Sequence, residues 1–108
     1  MKKILSILLL ISFTASAQTL ECPTIEKKNR LVGASAYFDK ISQIQGERKD
    51  LKNGHNEILP LNVRYLVCEY ENETKSWKYF QPKDEITSCI LETRERRRKI
   101  ERVSLICT

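Results

Sequence analysis

Four cysteines limit what this chain can fold into more than any other feature of its sequence, and they stand at Cys22, Cys68, Cys89 and Cys107. No two of them form a C-x-x-C pair, and His55 is the only histidine, so the spacing does not suit a zinc site. An even number of cysteines in a short exported chain is typical of disulfide bonds. We therefore expect two disulfides, with no metal and no other cofactor.

The first 17 residues have the three parts of a secretory signal peptide. Lys2 and Lys3 give a positive start, residues 4–11 form an apolar core, and residues 15–17 are the small side chains that signal peptidase requires. The apolar core is far shorter than the roughly 20 residues that cross a bilayer. We therefore predict a cleaved signal peptide over residues 1–17 and a product that is periplasmic or secreted.

Residues 18–108 are expected to form a single small domain. Cys22 follows Glu21, whereas a lipoprotein signal has a small residue directly before its cysteine, so we expect neither a lipid anchor nor stable membrane insertion. A chain of this size buries only roughly 60–65 % of its unfolded surface. Its apolar core alone would give marginal stability, and the disulfides should supply the rest.

Apolar and polar residues alternate along much of the domain, which is typical of β-strands. Val32, Ala34, Ala36 and Phe38 form one such series and predict a strand over 31–38. A stronger series from Leu59 to Val67 predicts a second strand over 61–71, with its middle buried on both faces.

A polar turn at 71–75 then leads to a third strand over 76–81, which completes a hairpin. The alternation weakens between residues 39 and 58, where the dense charge indicates one long loop with a tight turn at Asn53-Gly54. The predicted fold is therefore mainly β: a small antiparallel domain with two disulfides and one long loop.

Residues 93–102 have two interpretations. Their composition favours a helix, because Arg, Glu and Lys have high helix propensity. Such a helix, however, would have no apolar residue between Glu92 and Lys99 to pack on a core. The alternative is a hairpin with its tip at residues 94–99 and apolar residues alternating on both strands, and we favour it.

The hairpin also ranks the possible disulfides. If Cys89 lies opposite Cys107, the apolar side chains of the two strands face each other, and Cys22 is left to pair with Cys68. Sequence alone leaves open the alternative in which Cys22 pairs with Cys107 and Cys68 with Cys89.

The candidate binding residues lie at the tip of this predicted hairpin: Arg94, Arg96, Arg97, Arg98 and Lys99. So many cations in one place would attract an acidic protein surface or anionic phosphates, less strongly as salt rises. The same run would also suit a solvated loop that prevents edge pairing. Because an exported protein does not normally meet DNA or RNA, we expect no nucleic-acid partner in spite of the basic composition.

No pattern in the sequence predicts an enzyme. There is no G-x-S-x-G motif, and one histidine cannot provide both a catalytic base and a metal site. Glu69, Glu71 and Glu73 suit the solvated end of a strand better than a pair of catalytic carboxylates. We therefore predict no catalytic residues.

Four aromatic residues allow two interpretations, and they are Tyr65, Tyr70, Trp77 and Tyr79. They could form an exposed patch for a sugar or a protein partner. In a domain this small we expect them in the core instead. They are the second surface to test if the basic run proves to be only a solvated loop.

Several short motifs together resemble a family of small secreted proteobacterial proteins that carries a locus-tag name and no assigned function. The motifs are Glu21-Cys22-Pro23, Tyr37-Phe38-Asp39, residues 65–70 (YLVCEY), Cys89 and Ile106-Cys107. The resemblance implies a four-cysteine, β-rich fold and transfers no active site. Lys40-Ile41 stand where that family often continues with Gly-Pro-Pro, so the resemblance does not extend to the loop after Asp39.

The general plan is also similar to that of small periplasmic lysozyme inhibitors, which insert a loop containing serine and glycine into the enzyme. None of the three glycines here follows a serine, so this similarity offers only an analogy of function. We expect a binding module that docks on another protein with an acidic surface, such as an inhibitor or an immunity-type protein. The alternative is an envelope-associated protein whose basic tip contacts anionic lipid or polysaccharide.

The export prediction has a direct test. Mass spectrometry of the protein recovered from the periplasm should give a chain that begins at Gln18, because cleavage follows the small residue Ala17. A recovered protein that still begins at Met1 would contradict it.

Overall fold

The computed structural model describes residues 17–108, and in this part of the chain it is an all-β domain of ten strands. The signal peptide predicted for residues 1–17 lies, except for Ala17, outside the described residues. The strands are β1 (Gln18–Glu21), β2 (Ile25–Glu26), β3 (Asn29–Tyr37), β4 (Gln43–Ile44), β5 (Glu47–Leu51), β6 (Gly54–Leu59), β7 (Tyr65–Tyr70), β8 (Lys75–Tyr79), β9 (Cys89–Arg96) and β10 (Lys99–Cys107). Residues 17–108 include no helix long and apolar enough to cross a membrane.

The strands form two antiparallel sheets. The first sheet has the order β1-β10-β9-β6-β5, and the second has the order β2-β3-β7-β8 with the short strand β4 also paired to β3. The predicted antiparallel β fold is confirmed. The chain crosses from the first sheet to the second after β1, returns to the first at β5, enters the second again at β7 and ends in the first.

The core lies between the two sheets and takes side chains from both. The first sheet contributes Leu91, Val103 and Leu105, all almost fully buried. The second sheet contributes, among others, Leu66 and Tyr70, and the Tyr70 hydroxyl donates a hydrogen bond of 2.8 Å to the backbone oxygen of Pro23. Because its hydroxyl has a partner, this tyrosine is buried without an unsatisfied polar group.

Burial also changes the acidity of Tyr70. Burial away from solvent raises the pKa of the phenol above its usual range, because the charged form is less well solvated there. The nearby Glu26 carboxylate raises the pKa further by repelling the negative charge. The folded state therefore favours the neutral phenol. The stability that the buried, neutral Tyr70 phenol contributes is complete below the ordinary pKa of tyrosine, and it is lost as the pH rises through the raised pKa of the folded state.

Two disulfides stabilise this arrangement, and both match the favoured prediction. Cys22, directly after β1, is bonded to Cys68 in β7, so this bond joins the first sheet to the second. Cys89 and Cys107 are directly opposite each other in the β9–β10 hairpin, with their Cα atoms 4.0 Å apart. The alternative pairing is therefore excluded, and the described residues contain no free cysteine.

The strand predicted over 61–71 is shorter than expected and begins only at Tyr65. Pro60 ends the preceding strand, because a proline has no N–H to donate to a sheet. The apolar alternation continues through residues 60–64, which connect β6 to β7 and are not a strand, because Val63 is fully buried there. One continuous pattern therefore covers the end of β6 in one sheet and the whole of β7 in the other.

Residues 39–58, expected to form one long loop, instead contain β4, β5 and all of β6 except its last residue. The five residues of β5 are all exposed at the edge of the first sheet, so this strand has no inward face to produce an alternating pattern. The tight turn expected at Asn53-Gly54 lies one residue earlier, at Lys52 and Asn53, and of the two expected residues only Gly54, the first residue of β6, has a positive φ, of +144°. A Cβ atom at Gly54 would lie 1.9 Å from the Thr93 backbone oxygen, so the neighbouring strand requires glycine there.

Each sheet contains one β-bulge. In β3 the extra residue is Val32, which is 54 % exposed, and the bulge lets Leu31 and Ala34 face the same side although they are three residues apart. In β10 the extra residue is Glu101, and Ile100 and Val103 share the inward side in the same way. The predicted series that began at Val32 was wrong at that residue, because a bulge shifts the alternation by one position.

The two disulfides should differ in their effect on stability. The loop closed by Cys22–Cys68 spans 46 residues and that closed by Cys89–Cys107 spans 18. Because a longer loop restrains the unfolded chain more, changing the first pair to serine should cost about 4 kcal/mol and the second about 3 kcal/mol. Urea unfolding of the two double variants measures this, and the reverse order would contradict the chain-entropy explanation.

Candidate functional site

The segment 93–102 forms the favoured hairpin, and the helical alternative is excluded. β9 continues to Arg96 and β10 starts at Lys99, so the tip is only the two residues Arg97 and Arg98. Their φ angles are +57° and +67°. Positive φ at both central residues is the mark of a type I′ turn, which matches the twist of a hairpin.

This turn holds two arginines in a conformation that normally selects asparagine and glycine. A non-glycine residue in the left-handed region costs roughly 1–2 kcal/mol. The β2–β3 hairpin repeats the arrangement, because Lys27 and Lys28 have φ angles of +49° and +68°. Both two-residue tips therefore carry two cations at the expense of some stability.

Arg94 is separate from the tip. Its guanidinium donates hydrogen bonds to the Asn56 side chain at 2.9 Å and to the Thr93 backbone oxygen at 3.1 Å, and it lies 3.7 Å from the Glu92 carboxylate. The side chain is only 18 % exposed. Arg94 therefore holds β9 to β6 and is not one of the exposed cations at the tip.

The other cations of the run line an open groove at this end of the molecule. Arg96, Arg97 and Lys99 form one side with Ile100 and Glu101, and Thr24 and Arg30 complete the lining. The groove has a volume of about 690 Å³. Its one carboxylate, Glu101, is 3.8 Å from Arg96, and both of these side chains are mostly exposed.

Arg30 was missed by sequence reasoning. It lies near the start of β3 in the second sheet, far along the chain from the hairpin, and no motif marks it. Two hydrogen bonds to Glu71 hold its backbone. The Arg30 N–H donates a hydrogen bond of 3.1 Å to the Glu71 carboxylate, and the Glu71 N–H donates one of 3.0 Å to the Arg30 carbonyl. Only the packing of β10 against β3 brings Arg30 to the groove.

Arg98 lies on a neighbouring groove that shares Arg30 and Lys99 with the first one. Val32 and Ile100 also line it, so the two bulged segments meet here. Bulges turn side chains away from the regular alternation and increase the local twist. We define the basic end as Arg30, Arg96, Arg97, Arg98 and Lys99.

A second surface lies on the outer face of the second sheet. Tyr37, Tyr65 and Tyr79 are direct neighbours across β3, β7 and β8. Trp77 lies two residues before Tyr79 in β8, on the same face. The ring centroids of Tyr37 and Trp77 are 4.9 Å apart, those of Tyr65 and Trp77 5.7 Å, and those of Tyr65 and Tyr79 5.5 Å. We call these four residues the aromatic patch.

The expectation that the aromatic residues belong to the core holds for Tyr70 alone. Tyr65 and Trp77 are half-buried on the outer face, and Tyr79 is 58 % exposed. The patch covers Val67, which is fully buried on this face and apart from the main core. Sequence alone does not reveal this outer face, because β7 carries apolar residues on both of its faces.

Lys40 lies over the aromatic patch. Its ammonium nitrogen is 5.3 Å from the Tyr65 ring centroid and 5.0 Å from that of Trp77. The loop that carries it is held by Asp39, whose carboxylate accepts hydrogen bonds from the N–H groups of Ile41 and Ser42 at 2.9 and 2.6 Å. The bond from Ile41 is the main reason that the pKa of Asp39 is lower than usual.

Within residues 17–108 no three His, Cys, Asp or Glu side chains are arranged to hold a metal ion. Of Glu69, Glu71 and Glu73, only Glu69 lies in β7, and its carboxylate accepts a hydrogen bond of 2.8 Å from the Ser35 hydroxyl. Comparisons of this chain with protein-family models, with curated proteins and with solved structures give no match. The family resemblance described above therefore stays a prediction.

The different surroundings of two neighbouring arginines give a stability test. Arg94→Ala should lower the free energy of unfolding by about 1–2 kcal/mol, because it removes charge-assisted hydrogen bonds that are shielded from solvent. Arg96→Ala should change it by less than about 0.5 kcal/mol, because its ion pair is exposed. Urea unfolding followed by Trp77 fluorescence compares the two, and equal effects would contradict these roles.

Proposed function

We propose that this domain is an exported binding module that docks on an acidic surface of another protein through its basic end. The observation that carries the proposal is the groove in which Arg30 of the second sheet joins Arg96, Arg97 and Lys99 of the hairpin. Four cations face one carboxylate there. An inhibitor or an immunity-type protein would use such a surface to occupy an acidic cleft.

The chemistry of the groove favours carboxylates as its targets. The guanidinium group is planar and presents paired donors that match a carboxylate, so arginine binds such groups with defined geometry. Three of the four cations in the groove are arginines. A partner with clustered Asp and Glu side chains would also be attracted over a distance, since like charges on one surface add their fields.

The framework beneath the tip favours a rigid presentation of these cations. The Cys89–Cys107 bond closes the far end of the hairpin, Ile100 packs on the core near the tip, and a two-residue turn leaves no slack between the strands. A surface that is already fixed in its binding conformation loses less entropy when it docks.

One observation favours the envelope as a second candidate partner. The Lys27-Lys28 turn directly precedes the strand that carries Arg30, so positive charge extends beyond the groove. A wider basic surface would also suit anionic lipid or polysaccharide, whose charges repeat over a large area.

The test replaces Arg97 by Asn and Arg98 by Gly, the pair that a type I′ turn prefers. This change removes two cations while it should stabilise the domain by about 1 kcal/mol, because the left-handed strain is relieved. Wild-type and variant proteins are immobilised and exposed to periplasmic extract. We expect a protein that is captured by the wild type, is lost with the variant by about tenfold or more, and binds less at higher salt.

The matched control is Lys27→Asn with Lys28→Gly, which removes two cations from the other turn in the same way. The captured protein, once purified, should bind the wild type and this control with saturable one-to-one stoichiometry. Binding that follows the phosphatidylglycerol content of vesicles, without such stoichiometry, would favour the envelope instead. Equal binding by all three proteins to every candidate would contradict both.

A further inference from the structure

The aromatic patch and Lys40 form an arrangement that the proposed function does not use. β3 runs from Arg30 at the basic end to Tyr37 in the patch, which separates the two surfaces by roughly 20 Å along the strand. The patch therefore lies outside any interface centred on the hairpin tip.

The geometry around Lys40 is that of a bound cation. The Tyr65 and Trp77 rings are nearly perpendicular, with an angle of 78° between their planes, and the ammonium lies within about 6 Å of both, the range in which ring faces attract cations. Tyr37 extends the wall beside Trp77, at an interplanar angle of 56°. Several rings at steep angles around one positive charge are how proteins bind quaternary ammonium groups.

Lys40 is a weak occupant of this place. Its ammonium is a compact and strongly hydrated charge, whereas a trimethylammonium group is larger and weakly hydrated and loses less when it leaves water. The loop around Lys40 is exposed, and the neighbouring Ile41 is 88 % exposed. Lys40 can therefore turn away from the rings without disturbing the core.

We propose that Tyr65, Trp77 and Tyr37 form a binding site for a small soluble trimethylammonium compound such as choline, and that Lys40 occupies the site until this compound displaces it. A ligand must then compete with an internal cation, so its apparent affinity falls in proportion to the fraction of molecules with an empty site. Removal of Lys40 should strengthen binding rather than weaken it. A purely structural role for Lys40 does not lead to this result.

The experiment titrates the purified, oxidised protein with choline chloride and follows the fluorescence of Trp77, the only tryptophan in the chain. Lys40→Ala should bind choline about tenfold more tightly than the wild type, because the competing cation is gone. Lys75→Ala is the matched control, since it removes an exposed lysine from the start of β8 and leaves Lys40, the lysine that lies over the rings, in place, so it should bind as the wild type does. Sodium chloride at equal ionic strength corrects for salt.

Two further measurements separate the site from general effects. Adding Tyr65→Leu to Lys40→Ala should remove the gain, and urea unfolding of this double variant checks that it is folded. 3,3-Dimethylbutanol, a neutral compound with the shape of choline, should bind at least about fivefold more weakly than choline to Lys40→Ala. Equal choline binding by the wild type and Lys40→Ala, equal binding of the two compounds, or binding only to phosphatidylcholine vesicles would overturn the proposal.

Discussion

The bond between Cys22 and Cys68 is the constraint on which the rest of this structure depends. The two sheets share a small core, and a domain of this size buries too little apolar surface to hold two layers together with a wide margin. Cys22 lies at the end of an edge strand of the first sheet, and Cys68 lies, fully buried, in a central strand of the second. With this link in place, β10 can pack on β3, and the groove between the sheets has a defined width.

The strands whose apolar residues alternate over several positions, such as β7, β9 and β10, were predictable from sequence, whereas β1, β5 and β6 were not. The register of the β9–β10 hairpin was predicted correctly between its disulfide and Thr93, because Cys89, Leu91 and Thr93 alternate in step with residues 103–107. The bulge at Glu101 shifts the register beyond that point, and the tip is shorter than the predicted 94–99. β5 was missed because an edge strand with every side chain exposed has no apolar period. Val32 was placed wrongly because a bulge changes the phase of the alternation, and nothing in the residue types marks where that happens.

The candidate surfaces were predictable from sequence only where their residues are close together along the chain. The run from Arg96 to Lys99 is contiguous and was visible in the sequence, whereas Arg30 reaches the same groove only through tertiary packing. The aromatic patch was misassigned for a related reason. Tyr65 and Tyr70 lie in the same strand, five residues apart, so their side chains are on opposite faces of the sheet. The sequence does not show which of these faces is turned outward. Hydrophobic character indicates burial only when the partner layer is known.

The pairing of β1 with β10 has a consequence for how the chain reaches this state. Gln18 in β1 lies opposite Cys107 in β10, so the first sheet is complete only when β10 has formed and paired with β1. Contacts between such distant residues form late, since a long segment must be ordered before they bring any gain. During synthesis β1 therefore has no partner until β10 has emerged, and the first sheet stays incomplete until then. The topology itself delays folding, and such a delay would serve the export proposed above, in which the chain crosses a membrane before it becomes compact.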